Sequence, residues 1–328
     1  GTAITLSAPT ANGIVIKVGN ANINTVVNST IYGNGGISKQ GTGTMIITTN
    51  SSYVGVSQAI GGILQFGSGG STGAPGATST LNPVAPGAIS FRRNDTAMSI
   101  TSVLTGNGNI EFDGSGTAGQ SAYTLSSSDS SGFTGYINIK ANAKLSTATA
   151  YAAAIPGVNV HANGQLYIIG VSPFATPLTI AGNGWLEANS TREGAIKVSG
   201  GTVLTSPITV TSTSMITAVA TGTSNVNSTI TGTGVGMSFK SVAPAVLSLT
   251  GTSTYDGNTY ITGNTLATSI VNANSTTAIP ANSNINITST MFNVNENLTA
   301  GLIDGTGDFS VAAGKTFKIG GQNRGYGV

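Results

Sequence analysis

MIITTNSSYVGVSQAIGGIL (Met45–Leu64) aligns without a gap on LSLTGTSTYDGNTYITGNTL (Leu247–Leu266). Ile47 falls on Leu249, Thr48 on Thr250, Tyr53 on Tyr255, Gly55 on Gly257 and Gly61 on Gly263. A looser copy, LSSSDSSGFTGYINIKANAKL (Leu125–Leu145), puts Phe133 and Gly135 at the aromatic and glycine places. Each copy reads as strand, tight turn, aromatic-x-Gly, strand, turn, strand. Such a unit cannot bury an apolar face alone, so copies stack with equivalent side chains above one another.

Outward from these repeats, apolar residues recur at every second position in short runs. Examples are GIVIKV (Gly13–Val18), TMIITT (Thr44–Thr49), YINIKA (Tyr136–Ala141), SPITVTS (Ser206–Ser212) and SNINITS (Ser283–Ser289). Runs rich in Val, Ile and Thr and bounded by Gly, Asn and Ser read as strands. Good helix formers are scarce, and only TATAYAAAI (Thr147–Ile155), stopped by Pro156, has the makings of a short helix. The fold class is all-β.

A second motif, apolar-x-Gly-x-Gly-x-apolar, occurs as IYGNGGI (Ile31–Ile37), LTGNGNI (Leu104–Ile110), IAGNGWL (Ile180–Leu186) and IDGTGDF (Ile303–Phe309), with a weaker copy at ITGTGVG (Ile230–Gly236). Its glycine pairs are Gly33 and Gly35, Gly106 and Gly108, Gly182 and Gly184, Gly232 and Gly234, and Gly305 and Gly307. A phosphate cradle would need each pair to open a helix whose amides face the anion, and no helical pattern follows any copy. The glycines are therefore expected at sharp turns between stacked strands, with positive φ at Gly33, Gly35 or both, and with Ile31 and Ile37 pointing inward. Uneven intervals between copies indicate insertions carried in loops.

Together these features predict a parallel β-helix, one continuous β-solenoid over residues 1–328 cut from a longer chain. At roughly 20 to 25 residues per coil it would have about 13 to 16 coils and, at ~4.8 Å per coil, a length of about 60 to 80 Å. GSGGSTGAPGATSTLNPVAPG (Gly67–Gly87) is too irregular for regular coils and is expected to be a loop insertion.

Composition narrows the function. Charged residues make up 7% of the chain, against roughly 25% in an ordinary soluble domain, while 47 of the 328 residues are glycine. Thr, Ser and Asn must supply the surface polarity, and all three can form hydrogen-bonded ladders without charge repulsion. A net charge of +2, with only Arg92 and Arg93 adjacent among the basic residues, argues against nucleic acid or anionic lipid as partner. The chain has no cysteine, which excludes disulfides, zinc–thiolate sites and thiol nucleophiles and suits export in an unfolded state. No run approaches the ~18 apolar residues of a membrane span, so this segment is not expected to enter a membrane. GTAITLSAPT (Gly1–Thr10) has no signal-peptide pattern, the expectation being either a mature or excised segment or a chain that travels by another route.

Side chains able to carry chemistry are few, and no cofactor is expected. His161 is the only histidine, and VNVHANGQL supplies it no carboxylate, so it reads as a surface or turn residue. Glu111 and Asp113 in NIEFDG lie two apart, and on a strand both project from one face. Such a pair can act as acid and base on a glycoside or bind calcium, with Arg92 and Arg93 as the basic residues about one coil away; the plainer expectation is two solvated charges. Asp304 and Asp308 flank the last glycine pair as candidate cation ligands. Trp185, the only tryptophan, is a candidate for stacking on a sugar ring, although a partly buried strand-end ring is the expectation. Asn-x-Ser/Thr sequons stand at Asn28, Asn50, Asn94, Asn189, Asn227, Asn274, Asn286 and Asn297, numbers that chance supplies in so Asn-rich a chain.

At KQGTGTMIITTNSSYVG (Lys39–Gly55) and VLSLTGTSTYDGNTYITGNTL (Val246–Leu266) the chain resembles the autotransporter-associated β-strand repeat of bacterial passenger domains. Lys39, Gly41, Gly43, Ile47, Thr48, Tyr53 and Gly55 fit the first copy, and Lys240, Leu249, Thr250, Gly251, Tyr255 and Gly257 the second. Thr49 stands where the family has its first turn glycine, and SVAPA (Ser241–Ala245) where it has paired glycines. The resemblance implies a right-handed parallel β-helix displayed outside the cell, working in adhesion, self-association or as a stalk. Its partners would be further copies of itself or host and neighbouring cell-surface molecules, glycans among them. Phage fibres carry similar repeats, which makes a virion fibre or spike segment the alternative; a carbohydrate-active enzyme using Glu111 and Asp113 is the further one.

Overall fold

A computed structural model describes residues 4–6, 14–126, 130–151, 154–266 and 268–320. It is all-β, with parallel strands stacked as a β-solenoid of about 14 turns, which falls within the expected range. The chain divides into two compact units, Gly1–Asn159 and Val160–Val328.

In the first unit one sheet runs from the strand Asn24–Val27 through Thr44–Ile47, Ile63–Phe66 and Ala88–Arg93 to Asn109–Gly114 and Ile137–Ile139. A second runs from Ile14–Lys17 to Gly132–Phe133, and a third holds Met98–Ile100, Ala122–Leu125 and Lys144–Thr147. In the second unit one sheet runs from Leu178–Ile180 to Thr252–Ser253, another from Gln165–Ile169 to Ile303–Gly305, and a third from Val203–Leu204 to Asp308–Val311. Coil length is more variable than a fixed 20 to 25 residues: in the second unit register partners range from Met291↔Asp308 to Leu178↔Ile208. The ladder needs only the strands in register, so the connections between them are free to lengthen.

Alternation builds the interior, because successive side chains on a strand point to opposite faces. Ile47, Phe66, Phe91, Phe112 and Ile139 are register partners on successive coils and are all fully buried. The rings of Phe66, Phe91 and Phe112 stack with centroids 5.6 and 5.7 Å apart. In the second unit Ile196, Ile216, Phe239, Ile261 and Ile287 form an equivalent ladder. Each such side chain contributes roughly 1.5–3 kcal/mol by leaving water, so a column of five is a sizeable part of a unit's stability.

The two sequence motifs turn out to interlock. Gly33 has φ +112°, and Ile31 and Ile37 are buried at 2% and 1% exposure, as the turn reading of IYGNGGI expects. Gly106, Gly182, Gly184, Gly234 and Gly305 also take positive φ, whereas Gly35, Gly108, Gly232 and Gly307 do not. The aromatic-x-Gly glycines press on the glycine-pair segments one coil away. A methyl group at Gly55 would overlap the Gly35 carbonyl, one at Gly135 the Gly108 carbonyl oxygen, and one at Gly257 the backbone of Val235 and Gly236. Each repeat therefore needs glycine at one motif because the other passes directly over it.

Two expectations change. The candidate helix at 147–155 is not helical at its described positions: Thr147 ends a strand, and its hydroxyl donates to Thr149 O at 2.8 Å. Within the stretch 67–87, Thr80–Pro83 is a regular strand with Leu81 fully buried, so the irregular part is interrupted there and only a short turn, 84–87, follows it. Most of GTAITLSAPT, residues 127–129 of the third repeat, residues 152–153 of the candidate helix and GQNRGYGV lie outside the described residues. Among the described residues no helix is long and apolar enough to cross a membrane.

Candidate functional site

Glu111 and Asp113 lie on the strand Asn109–Gly114 and project outward from the same face, while the alternate residues Ile110 and Phe112 are buried. Each finds a cation on an adjacent coil. Lys140 Nζ donates to Glu111 Oε2 at 2.6 Å, and Arg92, the register partner of Asp113, places Nε 3.6 Å from its Oδ2. Cross-strand pairs of opposite charge are a common way to stabilise a sheet face, and at this exposure each contributes about 1 kcal/mol or less.

Arg93 has a different place. Its side chain is buried and bidentate to Asp95, with Nε at 2.6 Å and Nη2 at 2.9 Å, and it also donates to the carbonyls of Gly73 (3.1 Å) and Ser71 (2.5 Å). It fastens the irregular segment before Thr80 to the coil. A planar guanidinium suits this work because its donors form a rigid fork.

Asp304 and Asp308 are not brought together. Asp304 pairs in register with Asn286 in one sheet and Asp308 with Met291 in another, and among the described residues no group of three or more metal-ligating side chains gathers. His161 is exposed in a turn closed by a hydrogen bond from Gly164 N to its carbonyl. Trp185 is 3% exposed, so its ring is not open to a sugar.

Trp185 belongs instead to an excursion that the motif reading did not foresee. In IAGNGWL the glycine pair leads into an antiparallel bridge, Leu186↔Arg192, rather than another parallel strand. This excursion brings Glu187 and Glu193 onto Lys197, whose ammonium lies 2.9 Å from Glu187 Oε1, forms a second ion pair with Glu193 and sits 4.9 Å from the centre of the Tyr167 ring. Burial acts to lower the Lys197 pKa, but the hydrogen bonds and charges of Glu193 and Glu187 outweigh it and hold the group above its ordinary value.

A surface depression of about 340 Å³ lies on the sheet that ends at Ile303–Gly305. Asn258, Tyr260, Asn284, Asn286 and Asp304 line it with Ile285 and Leu302. Tyr260, Asn286 and Asp304 are register partners on three successive coils, and Tyr260 is 37% exposed. The motifs did not single out Tyr260. Its signal was its place in the alternation of NTYITG, where Thr259 and Ile261 are buried and the residue between them faces out.

Neutral hydrogen-bonded ladders also run from coil to coil, with some members, such as Ser248 and Asn138, buried. Asn293 Nδ2 donates to Asn272 Oδ1 at 2.9 Å, and Ser310 Oγ to Asn293 Oδ1 at 2.8 Å. In the neighbouring column Asn295 Nδ2 donates to Asn274 Oδ1 at 2.7 Å, and Asn274 Nδ2 to Ser248 Oγ at 2.6 Å. In the first unit Asn159 donates to Asn138 at 2.9 Å.

No family model matches the chain, and no curated protein or solved structure is detectably similar to it.

Proposed function

We propose that the chain is a non-enzymatic β-solenoid of the cell surface or extracellular space, a structural and adhesive segment that presents a repetitive neutral face to other surfaces or to copies of itself. The observation that carries this reading is the set of Asn and Ser ladders running from coil to coil. Such faces hold donors and acceptors at a fixed repeat without charge repulsion, which suits many weak contacts made in parallel. The repeats resembling those of autotransporter passenger domains support the same reading. Glu111 and Asp113, each tied to its own cation, are assigned to stabilising the sheet face.

Beads coated with the full chain test this. Attachment to one another or to cells should change by less than about twofold between low and high salt, because neutral contacts are little screened. Absence of attachment, or a drop of about tenfold with added salt, would overturn the proposal. Glu111→Gln with Asp113→Asn serves as the control, expected to leave attachment unchanged and to alter no polysaccharide turnover.

A further inference from the structure

We infer that the depression around Tyr260 binds a neutral oligosaccharide, a reading that rests on the adhesive role and gives it a ligand class. The geometry is a small grid. Tyr260, Asn286 and Asp304 follow one another across three coils, ~4.8 Å apart in the ladder direction. Asn258 and Asn284 stand two residues earlier, just before the first two of those strands, about 6.6 Å along the chain, and are exposed. The residues between the columns, Thr259, Ile285 and Ile303, turn inward and are buried.

The groups on this grid suit alcohols. Every carboxamide carries both donors and an acceptor, as a sugar hydroxyl does. Asn284 Oδ1 already accepts from Leu302 N at 3.0 Å and Asn286 Oδ1 from the Thr288 hydroxyl at 3.1 Å, which sets both amides and leaves their NH₂ groups to donate. Asp304 Oδ1 accepts from Gly305 N at 2.7 Å, leaving Oδ2 as an acceptor. The Tyr260 ring offers an apolar face of the kind on which the C–H face of a pyranose stacks. The depression is at the small end of the usual ~300–1,000 Å³ for ligand sites, room for a short stretch of saccharide.

Charge decides which saccharide. Among the described residues that line the depression, Asp304 alone is charged. Lys240, on the preceding strand of the same sheet, turns its ammonium to the Arg192 carbonyl at 3.3 Å. A uronate or sulfated chain would meet a carboxylate with no cation among the lining residues, so the site favours uncharged sugars. A peptide adding by strand pairing would use the backbone of the last strand, Ile303–Gly305, whereas the groups that line the depression are side chains on the sheet face.

The test is titration calorimetry of the full chain with neutral hexasaccharides built from glucose, galactose, mannose or N-acetylglucosamine, beside oligogalacturonate and an unrelated hexapeptide. At least one neutral sugar should bind saturably, with oligogalacturonate and peptide silent. Tyr260→Ala should weaken that binding at least about tenfold and Asn286→Ala at least about threefold, while Tyr136→Ala, at an exposed tyrosine of the first unit, should leave it within about twofold. No neutral sugar bound at about 10 mM, tighter binding of oligogalacturonate or peptide, or an unchanged affinity in Tyr260→Ala would each overturn the inference. Attachment of the same proteins to cells separates the two failures: wild-type attachment without sugar binding removes the site alone, and absence of attachment removes the adhesive role.

Discussion

The Tyr53 hydroxyl lies 2.5 Å from Ser57 Oγ, with both residues fully buried. In the second long repeat Tyr255 meets Thr259 at 2.6 Å in the same place. The third copy has Phe133 and Ile137 at these positions, both fully buried, so hydroxyl and hydroxyl have been exchanged together for two apolar groups. A buried hydroxyl that loses its partner costs about 1–3 kcal/mol, whereas replacing both partners with apolar groups is close to neutral. Tyr53→Phe and Ser57→Ala should each lower the urea midpoint by an amount equivalent to about 1–2 kcal/mol, and the double variant should be more stable than either single one. A double variant as unstable as the sum of the singles would show that the pair is not coupled. Tyr255→Phe should cost less than Tyr53→Phe, because Thr259 keeps a hydrogen bond to Ser283 at 2.7 Å.

Alkaline pH should destabilise the fold. Burial pushes the phenols of Tyr53, Tyr123, Tyr151 and Tyr255 well above their ordinary value of 10.0. Below pH 10 they are protonated in folded and unfolded chains alike, and their stabilisation is fully present. Above it the unfolded chain releases protons that the folded chain keeps, so stability falls by up to about 1.4 kcal/mol per pH unit for each tyrosine. Lys39 works in the opposite sense. Burial lowers its pKa from 10.5, so its contribution rises as pH climbs toward that value, but it is one group against four tyrosines and Lys197, whose raised pKa also costs stability above 10.5. Urea midpoints measured at pH 9, 10 and 11 should therefore fall above pH 10, and less steeply in the Tyr53→Phe, Ser57→Ala double variant.

Arg93→Ala should act on both stability and local opening. It leaves Asp95 without its bidentate partner and the carbonyls of Gly73 and Ser71 without a donor. Loss of one partner from a buried pair costs about 3–5 kcal/mol, and partial exposure of Asp95 puts this case near the lower figure. Limited proteolysis should find new cleavage before Thr80, whereas Arg92→Ala, whose ion pair is exposed, should change neither cleavage nor midpoint measurably.

Two glycines separate steric from conformational need. Gly135 lies directly over the Gly108 carbonyl oxygen, and a methyl there has no room, so Gly135→Ala should cost about 3 kcal/mol or more. Gly234 has φ +70° and nothing near the place of a Cβ, so Gly234→Ala should cost only the left-handed backbone penalty of about 1–2 kcal/mol. Thermal unfolding of the two variants should rank them in that order.

Local patterns carried the fold. Alternation in TMIITT and SNINITS settled strand over helix, since a two-residue period puts one face inward whatever the partner, and recurrence of Tyr53 and Gly55 at Tyr255 and Gly257 settled stacking. The alternation likewise placed Glu111 and Asp113 on one face. Only the tertiary structure decided what each residue meets, because that depends on the number of residues between coils, and the connections vary in length. It put Gly55 over Gly35, Arg92 beside Asp113, and Asp304 and Asp308 on different sheets. It buried Trp185 in an excursion no period announces, and it gathered Tyr260, Asn286 and Asp304, distant along the chain, onto one face where the ladder sets them side by side.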